Sequence, residues 1–565
     1  MHEDRELTLR SLLTGLVLGA ALAPCNVYSG LKIGWSFNMS IIALLAGFAF
    51  WRALERAAPV PRWTLKESNI GQTAASSAAS IISGGLVAPI PAYALLTGAQ
   101  LPAAPMMAWV FAVSFLGVWV AWYLRPALIV ESPLRFPAGV ATLETMGDIF
   151  GRGREALARI AVLSGAGLVS GAVKWASTFV WQLPRWSPSL ALERLTFALE
   201  PSLLLVGFGA IIGLRVGASL AAGALVAWGG LAPWLLARGW VAMPAEAPGS
   251  LFGPLVEWLL WPGVSLMVAA TLTTFAVKGV RTLRGGHGVG IRRNALRARG
   301  PAAGFAVAAL LAVALQVLLF DIGIALALLA IPLAVVLAAV AARVVGETGI
   351  PPIGAIGKVS QLGFGVAAPG QTVTNLMTAN VAGGAAGQCA DLLNDFKVGH
   401  AIGAAPARQA IAQCFGVATG SVVGVLVYLA LIPDPAAMLL TEQWPAPAVA
   451  TWKAVAEALT LGLASVPPSA QLAMLAGGAV GVALGALDAA PRPPRWLPSG
   501  VALGLAFVIP ASISLMMFAG AALAWALFAR NAPLAGRFTI TAAAGLIAGE
   551  SIVGVAASFW DMAGR

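Results

Sequence analysis

Apolar runs long enough to cross a hydrocarbon core recur from one end of this 565-residue chain to the other. A helix needs about 20 mostly apolar residues to span the roughly 30 Å of a bilayer core, and there each backbone polar group must be satisfied inside the protein. Such runs lie at about 8–30, 34–54, 69–98, 104–124, 157–182, 199–214, 217–237 and 257–280, and again near 302–320, 322–345, 371–390, 405–431, 446–466, 470–489, 497–529 and 538–560. The pattern predicts an all-α, polytopic transmembrane helical bundle of about 14 to 16 spans. No stretch remains for a soluble domain: 10% of the residues are charged, against about 25% in soluble domains.

The basic residues sit between the runs. Lys278, Arg281, Arg284, Arg292, Arg293, Arg297 and Arg299 follow one another with no acidic residue among them. By the positive-inside rule this link is cytoplasmic. It divides one integral membrane domain into an N-terminal half, 1–280, a basic cytoplasmic linker, 281–299, and a C-terminal half, 300–565. Eight spans before the linker place the N-terminus in the cytoplasm too. Arg52, Arg56, Arg62, Lys66, Arg152, Arg154 and Arg159 fit that topology, whereas Arg185 and Arg194 do not. The start of the chain reads as a retained span and not as a cleaved signal. A net charge of +11 spread in this way indicates no nucleic-acid partner.

Several chemistries are excluded. His2, His287 and His400, and Cys25, Cys389 and Cys414, lack metal or disulfide spacing, so no metal and no cofactor are expected. GAIGKVS (354–360) has Val359 after the lysine and Pro352 at the first glycine position, so it is not a phosphate-binding loop. No G-x-S-x-G elbow is present. Transport remains the leading class, with a passive channel as the alternative and an intramembrane enzyme behind it.

Small residues at spacing four mark close helix contacts: Gly15 and Gly19; Gly209, Gly213 and Gly217; Gly477, Gly481 and Gly485; Gly545 and Gly549. Four stretches are too polar for lipid: NVYSGLKIGWSFN (26–38), ESNIGQTAASSAAS (67–80), ESPLRFPAGVATLE (131–144), and GETGIPPIGAIGKVSQLGFG (346–365) on through LLNDFKVGH (392–400). Irregular or polar backbone at membrane depth belongs in protein or beside a water-filled cavity. All four are candidates for a solute pathway, with surface loops between spans as the alternative; ESPLRFPAGVATLE leans to a surface loop or re-entrant hairpin. Ionisable residues in or beside apolar spans are few: Lys174, Glu347, Asp395 and Glu550. Each is expected to face a partner or water. Lys174 and Glu550 are candidates for an ion pair, and Glu550, Glu347 and Asp395 for proton-loading carboxylates.

QTAASSAASIISGG (72–85) aligns without gaps to QTVTNLMTANVAGG (371–384), which points to an internal duplication, parallel or inverted. Both segments open on turn-prone residues. If both start helices within the membrane, their free backbone N–H groups favour an anion between them. Asn69, Gln72, Gln371 and Asn375 would then orient the solute, with Tyr28 of the first polar stretch beside them.

Taken in order, NVYSGLKIGWSF, ESNIGQTAASSAAS, SPLRFPAGVAT, GETGIPPIGAIGKVSQL, DLLNDFKVGH and GLIAGESIVGV resemble the oligopeptide transporter (OPT) superfamily over residues 26–554. The peptide clade's N-P-G-P-F and K-I-P-P-R signatures are absent, and DLLNDFKVGH looks more like the yellow stripe-like and prokaryotic members. The resemblance implies a proton-coupled symporter of about 16 spans for small peptides or for metal chelates of the nicotianamine or siderophore kind. The expected partners are a small-molecule solute, protons and the lipid bilayer. The expected place is the inner (plasma) membrane, multi-pass, and assembly into a homo-oligomer is compatible with the sequence.

Overall fold

The computed structural model describes residues 5–34, 38–131, 134–151, 153–181, 185–241, 250–284, 299–348, 353–462, 466–494 and 496–563. Arg292, Arg293 and Arg297 of the basic linker lie outside them, as do parts of three of the polar stretches, 35–37, 132–133 and 349–352. The helices run α1 Leu9–Ile33, α2 Ser40–Ala57, α3 Leu65–Ala79, α4 Pro89–Thr97, α5 Ala103–Arg125, α6 Pro137–Gly151, α7 Gly153–Phe179 and α8 Leu190–Arg194. Next come α9 Leu203–Ala224, α10 Ala232–Ala237, α11 Phe252–Arg284, α12 Arg299–Phe320, α13 Ile324–Thr348, α14 Ile353–Ala367 and α15 Thr372–Ala401. The chain ends with α16 Pro406–Leu431, α17 Pro435–Met438, α18 Pro447–Leu461, α19 Pro468–Asp488, α20 Gly500–Leu505, α21 Ala511–Arg530 and α22 Ala532–Ala563.

Twelve of the described segments are long and apolar enough to cross a membrane. The expected count was higher. α2 carries Arg52, Glu55 and Arg56, α14 and α18 are 15 residues each, and α15 is long enough but too polar. The runs at 199–214 and 217–237, expected as two spans, form one segment, Leu203–Ala237. Gly213 breaks it with φ 80° and ψ 167°, a backbone state open to glycine.

The glycine stripes set the helix pairs. Gly15 and Gly19 lie against Gly71, Ala74, Ala75 and Ala78 of α3; Gly209 and Gly217 against α21; Gly477, Gly481 and Gly485 against α11; Gly545 and Gly549 against α7. Gly213 has no such neighbour, so its place in the spacing pattern served the break and not a contact. In lipid there is no hydrophobic drive between helices, and close backbone approach supplies dispersion instead.

α15 occupies the middle. Its buried residues run almost without interruption from Thr374 to Gly399, on every side of the helix, and it packs against α13, α5, α14, α6, α18 and α16. Polar residues survive there because other helices, not lipid, surround them. The segments starting at Gln72 and Gln371 run antiparallel: Gln409 of α16 bonds both Asp395 O and Thr73, Gln388 reaches Ser77, and Asn380 reaches Gly84 O. They cross where their closing glycines meet. A Cβ at Gly384 would stand 2.7 Å from the Ser83 carbonyl oxygen, and one at Gly85 would stand 2.7 Å from Asn380 Nδ2. The neighbours are exchanged as well, since α3 packs on α16, the helix after α15, and α15 packs on α5, the long helix after α3. The relation between the two segments is therefore an inverted one.

One end of the bundle gathers the starts of α1, α3, α12 and α16 with the end of α15. Glu67, fully buried, accepts from Thr8 (2.8 Å) and from Arg10 Nε (2.7 Å), and Arg10 lies over the stacked rings of Trp51 and Trp63. Glu6 pairs with Lys66 and Arg408 and accepts from the Ala405 amide at the start of α16. Arg125 lies over Phe396 and Tyr123 packs on Phe305 of α12.

Candidate functional site

Where α3, α15 and α16 meet, the helices turn polar side chains toward one another. α3 supplies Asn69, Gln72, Thr73, Ser76 and Ser77; α15 supplies Gln388 and Asp395; α16 supplies Gln409 and Gln413, all buried. Local sequence explains how α3 carries them. Thr64 and Glu67 form a capping box that satisfies the first-turn N–H groups, and alanine and glycine between the polar positions keep the helix thin enough for three close neighbours.

The hydrogen bonding in this seam is incomplete. Gln72 Nε2 reaches Asn69 Oδ1 at 3.4 Å and Thr73 Oγ1 at 3.2 Å, while Gln72 Oε1 and Asn69 Nδ2 have no protein partner. Both side-chain polar atoms of Gln413 are likewise unmatched. The Asp395 carboxyl, 2% exposed, lies beside the side chains of Gln72 and Ser40, and its Oδ2 has no donor in bonding geometry. One turn earlier Asp391 stands next to Ser80 and is partly accessible. Native interiors leave few such atoms unmatched. A cluster of them, with two carboxylates one turn apart, suits protons, water or the polar groups of a solute.

The other sequence candidates lie elsewhere. Gln371 is exposed and accepts from Thr374 at the start of α15. Asn375 is fully buried and donates to Gln361 O of α14. The helix starts at Gln72 and Gln371 do not meet: Gln72 faces Asp395, 24 residues beyond Gln371, or about 36 Å of helix. The antiparallel crossing is the reason. From Pro137 on, the stretch ESPLRFPAGVATLE forms the start of α6, whose Gly139 amide donates to Asn394 Oδ1, while Lys397 donates to Leu134 O. It folds onto the end of α15.

Tyr28 packs edge-on against Trp444, 5.4 Å between centroids, and touches Gly554. The expected Lys174–Glu550 ion pair does not form. Glu550, 7% exposed, accepts from Ser202 Oγ and the Leu204 amide, each at 2.8 Å. The first turn of a helix exposes free N–H groups and the positive end of the dipole, and α9 takes the carboxylate for itself. Glu347 is exposed and pairs with Arg343 one turn away. Asp395 is thus the expected proton-loading carboxylate that the fold leaves buried with an unmatched oxygen.

A family model described as OPT oligopeptide transporter protein matches residues 6–560. The chain belongs to the OPT family. Among OPT relatives, the Saccharomyces cerevisiae protein YGL114W, named for oligopeptide transport, is 23% identical over 98% of this chain and 95% of its own length. Two proteins of Oryza sativa subsp. japonica named for metal-nicotianamine transport are similar as well. YSL9 is 24% identical over 97% of this chain and 88% of its own, and YSL17 is 25% identical over 98% and 89%. An OPT protein of this make-up is a multi-pass membrane transporter of a small molecule and not an enzyme.

Sequence reading missed Asp391, Gln388, Gln409 and Gln413. The spacing of Asp391 and Asp395 in DLLNDF was the available signal, since carboxylates four apart share one helix face.

Proposed function

We propose that this OPT transporter is a proton-coupled symporter that brings a small polar or anionic solute, an oligopeptide or a metal chelate, across the inner (plasma) membrane. The observation that carries this reading is the buried Asp395 carboxyl with an unmatched oxygen, set between Gln72 and Asp391 in a seam of incompletely bonded amides. A carboxylate at that depth is costly when charged and alone. Taking up a proton relieves that cost, and the occupancy of the seam then depends on the side from which protons arrive. Gln72, Asn69 and Gln413 supply neutral donors and acceptors beside it, which line the path that protons, water and solute would share without binding any of them too tightly for release.

Orientation follows from the same end of the bundle. The starts of α1, α3, α12 and α16 share one side, and the basic linker enters it through α12. The positive-inside rule assigns that side to the cytoplasm, with the membrane halves 1–280 and 300–565 joined across the linker.

The test is uptake into proteoliposomes holding the purified full chain, with and without an imposed pH gradient, for trialanine and for nickel–nicotianamine. Uptake that rises with an inward proton gradient and loses that dependence in Asp395→Asn supports the reading. Gradient-independent uptake that saturates normally would make the protein a facilitator and remove Asp395 from coupling.

A further inference from the structure

We propose that Lys358 of α14 holds a carboxylate of the transported solute, with the side-chain oxygens of Gln361 and Asn375 receiving the solute's N–H donors. This rests on the transport reading and names the groups that recognise the solute's charge.

Lys358 is 6% exposed, and its ammonium makes one hydrogen bond, to the Gly354 carbonyl at 3.3 Å. An ammonium has three donors, so two are unspent. The ring of Trp452 lies 5.7 Å from Nζ and offsets part of the burial cost. Among the described residues no carboxylate lies within ion-pairing distance of Lys358; the ion pairs of this bundle are made by other cations. A buried charge normally comes with a counter-charge, because desolvation is not otherwise repaid. Here the described residues supply none.

The position suits a solute. α14 packs antiparallel on the first half of α15: Asn375 donates to Gln361 O at 2.5 Å, and Gly357 lies beside Gly383. Lys358 is therefore level with the crossing of α3 and α15, midway along the bundle, and the neighbouring Gly354 is open. Gln361 stands one turn further along the same face. Its Nε2 is spent on Trp452 O at 3.2 Å, which leaves Gln361 Oε1 without a donor, and Asn375 Oδ1 is in the same state. Both side chains are fully buried. One unspent cation and two unspent acceptors complement a molecule that carries a carboxylate and N–H groups together, as an amino-acid-derived zwitterion does.

The experiment uses the full chain in proteoliposomes, with trialanine, its C-terminal amide and nickel–nicotianamine as probes. For a probe that the wild type takes up, Lys358→Met should weaken binding at least about 30-fold, and Lys358→Arg should keep most of it. The wild type should bind trialanine amide about 30-fold more weakly than the acid, and the amide and Lys358→Met should cost no more together than either alone. Lys358→Met that is monodisperse, as stable as wild type and unchanged in affinity overturns the assignment, and so do penalties that simply add. Should Lys358→Met fail to fold, equal affinity of the wild type for acid and amide overturns it without any variant. If the wild type takes up neither trialanine nor nickel–nicotianamine, transport of these solute classes fails, and this assignment fails with it. Uptake with a wild-type response in Lys358→Met sinks the lysine alone.

Discussion

The centre and the rim of this bundle are built by opposite rules. At the rim, α12, α19 and α7 bury only 22%, 17% and 11% of their apolar windows, and side chains such as Leu310, Leu472 and Leu168 point outward. α7 and α19 make their contacts mainly through glycine stripes, and α12 sets Gly304 against Trp119. At the centre, α3 and α15 are buried on all sides and rich in Ser, Thr, Asn and Gln, and several of those groups lack a partner. Polarity has moved inside and apolarity outside. Rim helices hold together by close fit with a few completed hydrogen bonds, such as Ser170 to Leu546 O and Ser265 to Met474 O, whereas the central pair accepts incomplete bonding, which is useful only if something else completes it.

The largest effect that would break this contrast is at the crossing. Gly384→Val places its new atoms against Val113 and the Ser83 carbonyl, so we expect the yield of monodisperse protein in fluorescence-detected size exclusion to fall more than about tenfold. Gly165→Val on α7, where a Cβ would meet nothing, should be nearly silent. Equal yields would mean that the crossing is not the tight point of the fold.

The next effect concerns charge in the seam. Asp391→Asn and Asp395→Asn should each reduce gradient-driven uptake about tenfold or more while solute exchange at equal pH continues. Glu550→Gln, which keeps the shape of a helix cap, should instead lower thermal stability by roughly 1–2 kcal/mol and leave the pH dependence of uptake in place. If Glu550→Gln uncouples transport and Asp395→Asn does not, the two carboxylates exchange roles.

The smallest effect lies at the end of the bundle where α1, α3 and α16 start. Burial alone would raise the Glu6 pKa, but the Ala405 amide, Lys66 and Arg408 outweigh burial and hold the carboxyl below its ordinary value. A depressed carboxylate stabilises the fold above its unfolded pKa, and that contribution is lost as pH falls through the folded value. Glu6→Gln should therefore lower the melting temperature at pH 7 by about one degree, about 1 kcal/mol or less. The difference from wild type should shrink in acid. A gap that persists unchanged at low pH would point to packing.

Much of the rim was legible in the sequence and less of the centre. Hydropathy finds helices that meet lipid, and the stripes at Gly209, Gly477 and Gly545 fall on the contacts they suggested. DLLNDFKVGH read as a broken segment, but it is regular helix inside α15, because hydropathy cannot tell a loop from a polar helix enclosed by others. In the sequence Lys358 stands only as the lysine of a failed phosphate-loop pattern, and its separation from the carboxylates of the described residues is a three-dimensional fact. Glu550 was rightly marked as needing a partner. The choice of the α9 first turn over Lys174 depends on how the last helix and the ninth converge, which no local pattern records.

The antiparallel crossing of α3 and α15 has an energetic consequence. When two related helices each pack on the other's successor, an exchange of surroundings replaces contacts of one kind with contacts of the same kind. For a transporter that alternates between inward-open and outward-open forms, such pseudo-symmetry narrows the free-energy gap between them. A bias of about 1.4 kcal/mol, a tenfold shift in population, is within reach of a single proton or solute bound better by one form than by the other.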